Sequence, residues 1–261
     1  MAKEKSIIGM MQRQGPGDFD PQEFVKAYEQ AYVDSGSRSG FKKKKSFSPS
    51  TLGYGHGTCP RYWFIAFSGA EFEDSPDSKS LANMDNGSYS HERIQSNLEK
   101  MGILKHKELE VTNDDPPIRG FIDGVIEWKE MEVPVEIKTA NSNSFQFRTN
   151  TGKVSGSHFV QFLIYLKLLK AKEGFLLYEN KDTQEILVIP IMVSETNKQH
   201  VEYLFTWMRE TYKAFTDGVL PERPWKRKNA KICSNCPVRN ACFESFGEGD
   251  VELPVLEVPT P

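Results

Sequence analysis

The chain has 261 residues, 38% hydrophobic and 26% charged, which suits one large or two small globular domains with a real core. No apolar run approaches the roughly 18 residues of a membrane span, and MAKEKSIIGMMQRQG at the start carries too short an apolar stretch for a secretory signal; an intracellular, cytoplasmic protein is expected. A net charge of −3 excludes a globally cationic nucleic-acid binder but leaves room for a local basic stripe.

In chain order, residues 1–47 are expected to be peripheral. FDPQEFVKAYEQAYV predicts a helix capped by Asp20 with Pro21 at its first position, followed by the basic linker DSGSRSGFKKKKSF. A compact domain is expected over 48–245. It opens with a short helix at Ser48, interrupted by a glycine-rich turn, and an aromatic segment from Tyr62 to Phe67. Residues 71–86 are polar and predict a loop. NGSYSHERIQSNLEKMGIL predicts a helix with Ile94, Leu98 and Met101 on one face and Gly102 as its stop. KHKELEVT, IRGFIDGVIEW and VPVEIKTA predict three strands, SHFVQFLIYLKLLKAK a strongly apolar helix, and FLLYENK and EILVIPI two more strands. NKQHVEYLFTWMRETYKAFTDG predicts a long amphipathic helix ending at Gly218. The tail, 246–261, is acidic and proline-rich and is expected to be disordered. Strands in the middle with helices before, between and after them predict an α/β fold: a mixed sheet flanked by helices.

The strands near residues 120–140 carry the unusual chemistry. In VPVEIKT, alternation puts Val133, Val135 and Ile137 on one face, and Glu136 and Lys138 on the other. A hairpin would bring Asp123 next to Glu136, while Gly124 beside it admits a close neighbour. Two adjacent carboxylates repel unless a cation lies between them, and hard oxygen donors suit Mg²⁺ or Mn²⁺. An ammonium beside them can orient or deprotonate a water, or steady developing phosphate charge. Such parts serve metal-assisted phosphodiester hydrolysis. A lone Glu-X-Lys is more often a surface ion pair, so its neighbours decide its meaning.

Asp123 followed by Glu136-Ile137-Lys138 resembles the core of the PD-(D/E)XK nuclease superfamily, in the variant with Ile122 before the aspartate that is common in RecB-type nucleases. Gly87 to His91 resembles that subgroup's G-x-x-x-H motif, Gln161 to Tyr165 its Q-x-x-x-Y motif, and Cys59-Pro60-Arg61 its N-terminal CPR segment. The resemblance spans about residues 48–245 and implies a restriction-endonuclease-like fold. It also implies that His91, Asp123, Glu136 and the Ile137 carbonyl bind the metal, that Lys138 is the catalytic lysine, and that Gln161 and Tyr165 support the site and contact nucleic acid. Taken alone, His91 reads as a helix-surface histidine and Gln161 as a hydrogen-bonded core glutamine.

Cys233, Cys236 and Cys242 cluster near the C-terminus, with Cys59 far upstream. Close cysteines in a reducing compartment point to metal, either Zn²⁺ or a [4Fe–4S] cluster. One distant cysteine plus a terminal trio resembles the iron–sulfur staple of AddB-type and CRISPR-associated RecB-like exonucleases, which implies a [4Fe–4S] group joining the two ends of the fold. The basic runs FKKKKSF and PERPWKRKNAKIC each precede a cysteine, so the cluster would gather positive charge for a phosphate backbone. Trp225, Tyr62 and Trp63 could stack on bases or serve as core aromatics. The expectation is a metal-dependent DNA exonuclease of bacterial or phage type, acting on single strands or ends in recombination, repair, phage or CRISPR DNA processing, with a possible protein partner from recombination, replication or CRISPR adaptation. The alternative is a catalytically silent DNA-binding or adaptor module on the same fold.

Overall fold

A computed structural model of the chain describes residues 19–36, 43–73 and 76–259. By its internal contacts the chain divides into two units: residues 1–39 with 75–85, and residues 40–74 with 86–261. In the first, α1 (Pro21–Gly36) starts as expected, with the Gln22 N–H donating to Asp20 Oδ1 at 2.8 Å. Within the same unit the Tyr32 hydroxyl donates to Asp85. Residues 37–42 of the expected basic linker lie outside the described residues.

The second unit is built on a five-stranded sheet in the order β1 (Leu104–Asn113), β2 (Ile118–Trp128), β3 (Met131–Ala140), β4 (Glu173–Asn180) and β5 (Ile186–Met192). All neighbours are antiparallel except β3 and β4, which run parallel in the register Glu136↔Leu176 and Lys138↔Tyr178. The mixed sheet flanked by helices matches the expected fold class. A parallel pair needs a long crossover, and the chain between β3 and β4 supplies two helices.

The faces of the sheet explain the apolar runs. On one side, Ile94 and Leu98 pack with Ile126, Val135, Ile137 and Leu177. On the other lies the larger core, where the helix Gly156–Leu168 buries Phe162, Leu163 and Leu166 against Ile122, Leu176 and the aromatic segment Trp63–Phe67. Tyr62 and Trp63 are core residues, 2% and 0% exposed, so they do not stack on a ligand.

Four expectations need correction. The polar stretch 71–86 is not all loop, because α4 spans Ser78–Lys100; Asp77 accepts from the Ser80 N–H at 2.8 Å and buried Leu81 anchors the first turns. A helix absent from the sequence reading, α5 (Ser142–Thr151), follows β3; Asn141 caps it by accepting from the Ser144 N–H at 2.8 Å, and Gly152 ends it in the left-handed region at φ 67°. The compact part starts before Ser48, since Phe47 is fully buried and bridges Ile118. The tail is docked through residue 258 rather than disordered: Leu256 is 3% exposed and donates its N–H to the Thr58 carbonyl at 2.9 Å, and the Trp207 indole donates to the Pro254 carbonyl at 2.7 Å. Apolar residues spaced among its acids give this segment anchors that its bulk composition hides.

Candidate active site

The β2–β3 ladder closes at Gly124↔Val135, one step short of Asp123 and Glu136. Beyond that step the Asp123 carboxylate takes over: its Oδ2 accepts the Ile137 N–H at 2.6 Å. Strict alternation on β2 also breaks here, since Ile122 packs in the larger core and Ile126, four residues on, in the smaller one. The β1 residue facing Asp123 is Glu108, which sits at φ 49°, a left-handed conformation that costs a non-glycine residue on the order of 1 kcal/mol or more. Such irregularities re-aim side chains beside active sites.

Six of the expected side chains converge. His91 Nδ1 lies 3.3 Å from Asp123 Oδ1. Glu136, 1% exposed, accepts at Oε1 from Lys138 Nζ at 2.7 Å and from Gln161 Nε2 at 2.6 Å. Gln161 is therefore a hydrogen-bonded core glutamine and a support of the site at once. Its Nε2 also lies 3.4 Å from the Tyr165 hydroxyl, and Tyr165 fits because Gly120 faces it: a Cβ there would come within 2.9 Å of that hydroxyl. Ile137 points its side chain into the smaller core while its backbone N–H engages Asp123. Gly124 does admit a close neighbour, but that neighbour is the Leu104 side chain rather than a ligand. Asp123, Glu136, Lys138 and Gln161 line an open cleft of about 400 Å³ whose rim includes Ser46, Ser48 and Arg119.

The electrostatics ask for a cation. Burial pushes Glu136 up to about 8, with the Lys138 ammonium pulling the other way and the Asp123 charge adding to the rise. For Lys138, burial alone would lower the pKa, but Glu136 and Asp123 outweigh it and hold the ammonium above its ordinary range. Glu136 Oε2 is buried with no hydrogen-bond partner. A carboxylate oxygen in that state fits a hard divalent ion, and His91, Asp123 and Glu136 are the donors that could hold it.

The sequence reading missed Glu108, Gln95 and the pair Arg93–Glu179. Gln95, 2% exposed, donates to Glu108 Oε1 at 2.7 Å and to the Asp123 carbonyl at 2.8 Å. Arg93 pairs at 2.5 Å with the buried Glu179 of β4. The i, i+4 spacing of His91 and Gln95 was the available signal.

At the other site, Cys59, Cys233, Cys236 and Cys242 line one pocket with Arg61 and Trp225. Arg61 is fully buried and donates to Cys242 Sγ at 3.2 Å, to the Pro221 carbonyl at 2.6 Å and to the Glu248 carbonyl at 3.0 Å. Burial raises the thiols of Cys59 and Cys236 to about 12.

The chain belongs to the PD-(D/E)XK nuclease superfamily, whose sequence profile matches residues 89–243, more than half its length and the span from just before His91 to just after Cys242. Among solved structures, it is similar to an alkaline exonuclease (LHK-Exo) from Laribacter hongkongensis, with TM-score 0.51 and 10% identity over 72% of this chain and 95% of that one. It is similar also to LHK-Exo in complex with dAMP, with TM-score 0.50 and 12% identity over 74% and 93%. A further similarity, to SSO0001, has TM-score 0.46 and 16% identity over 86% and 98%. A search of curated proteins returns no match.

Proposed function

We propose that the protein is a divalent-metal-dependent deoxyribonuclease, an exonuclease acting on single strands or DNA ends, stapled by a [4Fe–4S] cluster. The observation that carries the hydrolytic reading is the buried, unpartnered Glu136 Oε2 beside Asp123 and Lys138 at the floor of an open cleft. Mg²⁺ or Mn²⁺ bound there would polarise a phosphoryl oxygen and lower the pKa of an attacking water. His91, Asp123 and Glu136, with the Ile137 carbonyl, are assigned as its ligands. Lys138, held as an ammonium, acts as a donor: it steadies phosphate charge and orients water, and does not remove a proton in the state seen here. Gln161 fixes the Glu136 rotamer, and Tyr165 offers its hydroxyl to the cleft. Hydroxyls at Ser46 and Ser48 and the Arg119 guanidinium on the rim suit a phosphate backbone. The exonucleolytic mode draws on the two LHK-Exo structures, whose protein is an alkaline exonuclease.

For the cysteines, the donor set favours iron–sulfur over zinc. Cys59 from far upstream joins the terminal trio Cys233, Cys236 and Cys242 in one pocket, a set unlike the two CxxC pairs more usual for zinc. The alternative, a catalytically silent DNA-binding or adaptor module, is disfavoured by the complete His91, Asp123, Glu136 and Lys138 set. Anaerobically purified protein is expected to be brown, to absorb near 400 nm, and to degrade end-labelled DNA with Mg²⁺ or Mn²⁺ but not with chelator, with Asp123→Asn and Lys138→Ala inactive. A cluster-loaded protein that cleaves no DNA form under any divalent ion would overturn the enzymatic reading; zinc without iron or sulfide would overturn the cluster.

A further inference from the structure

On β2, Ile118, Gly120 and Ile122 are buried while Arg119 and Phe121 are exposed, so the strand carries an open face that leads up to Asp123, where the alternation breaks. Phe121 is 44% exposed and lines the cleft together with Asp123, Glu136 and Lys138. It packs in neither of the two hydrophobic cores. A singly exposed phenylalanine on a surface is ordinary, but this ring stands on the wall of a polar cleft, two residues from a candidate metal ligand. It is also held in place. Arg119 Cζ lies 5.3 Å from the ring centroid, and Arg119 Nε pairs at 2.5 Å with Glu110 Oε1, Glu110 being the residue opposite Phe121 on β1. The guanidinium is thus fastened across the β1–β2 pair onto one side of the ring, and the exposed remainder is open at the cleft. Residues i and i+2 of a strand stand about 6–7 Å apart, so Arg119, Phe121 and Asp123 form successive steps that one nucleotide of an extended strand can span.

We propose that Phe121 is a stacking platform for one unpaired base of the DNA strand in the cleft, with Arg119 beside it for that nucleotide's phosphate. The platform presupposes the nuclease reading of the same cleft and adds to it the residue that distinguishes single strand from duplex. Every base has a π-face, so stacking on Phe121 is tolerant of sequence. Bases inside a duplex have both faces taken by their neighbours, so the platform selects an unpaired or frayed nucleotide over paired ones. Glu110 takes the Nε of Arg119, and its terminal nitrogens supply further donors suited to phosphate oxygens. The guanidinium against the ring also adds a cationic surface on which the same base or its neighbour can rest.

The test is binding of the full chain to a labelled oligodeoxynucleotide, as single strand and as duplex of the same length, in chelator so that no cleavage intervenes. Phe121→Ala is expected to weaken single-strand affinity about fivefold or more and to change duplex affinity by less than about twofold. Phe121→Trp should hold or raise the single-strand affinity. Phe147→Ala, which removes a comparably exposed ring from α5 outside the cleft, is the control and should alter neither. In wild type, a strand substituted with 5-iododeoxyuridine should cross-link under near-ultraviolet light to Phe121, mapped by peptide mass spectrometry. Thermal melts show whether Phe121→Ala is folded; if it is not, the cross-link and Phe121→Trp decide. Single-strand affinity unchanged in Phe121→Ala, an equal loss for duplex, a cross-link absent from Phe121, or a wild type that binds no single strand would each overturn the platform. The nuclease reading is separable: DNA cleavage by a wild type that fails these binding tests sinks the platform alone, while stacking on Phe121 without cleavage of any DNA under any divalent ion sinks the nuclease reading alone.

Discussion

Glu136 Oε1 takes two hydrogen bonds and Oε2 takes none, in a side chain 1% exposed. A carboxyl whose pKa is raised by burial, here to about 8, binds its proton more tightly folded than unfolded. The unfolded chain ionises first, so stability falls as pH rises from about 4.5 towards 8 and levels off above that. Melting temperatures of metal-free protein are expected to decline across this window, and Glu136→Gln should flatten the decline. Added Mn²⁺ should raise the melting temperature most at the alkaline end, where the ionised carboxylate has the most to gain. Gly120 is a second residue-scale test. Alanine there would bring its Cβ to 2.9 Å from both Cε1 and the hydroxyl of the buried Tyr165, so Gly120→Ala should lower stability by about 1–3 kcal/mol and cut activity by displacing Tyr165.

At the scale of elements, helix α5 is instructive. SNSFQFRTNT shows little apolar periodicity and buries only Phe145, so pattern reading passes over it; its ends are set by an Asn141 cap and a glycine at φ 67°. Asn141→Ala should cost about 1 kcal/mol, measurable by urea titration. Helix α4 was legible from Ile94 and Leu98, but its reach back to Ser78 was not, because residues 78–86 are polar and are held by local capping. On β2, the alternating pattern predicted the hairpin and the Glu136–Lys138 face. It could not predict the break between Ile122 and Ile126, which arises where the Asp123 side chain replaces a backbone partner of Ile137.

For the whole molecule, Arg61 ties distant segments together. Its guanidinium reaches the Pro221, Cys242, Gly247 and Glu248 carbonyls and the Cys242 sulfur, so residues 160–187 positions away in sequence are fastened to the N-terminal aromatic segment. Arg61→Ala would leave several buried carbonyls without donors and should lower stability by about 3 kcal/mol or more in a urea melt; elemental analysis of the same variant should show loss of the metal proposed for the cysteine pocket. Leu256→Ala tests the docked tail; removing a side chain 3% exposed should cost about 2–5 kcal/mol in a thermal or urea melt, whereas a disordered tail would show no change.

The sequence alone determined the order of the five strands, the shared face of Glu136 and Lys138, the approach of Asp123 and the spacing of Gln161 and Tyr165, because period-two and period-3.6 patterns and fixed offsets are local properties of the chain. Only the tertiary structure decided that Glu108 turns towards His91 and Asp123, that Gln95 spaces the acids, that Arg93 meets Glu179, and that an acidic tail docks through Leu256. Each of these joins residues from separate elements through burial and hydrogen bonding, and no periodicity along one segment records which partner the fold will bring to it.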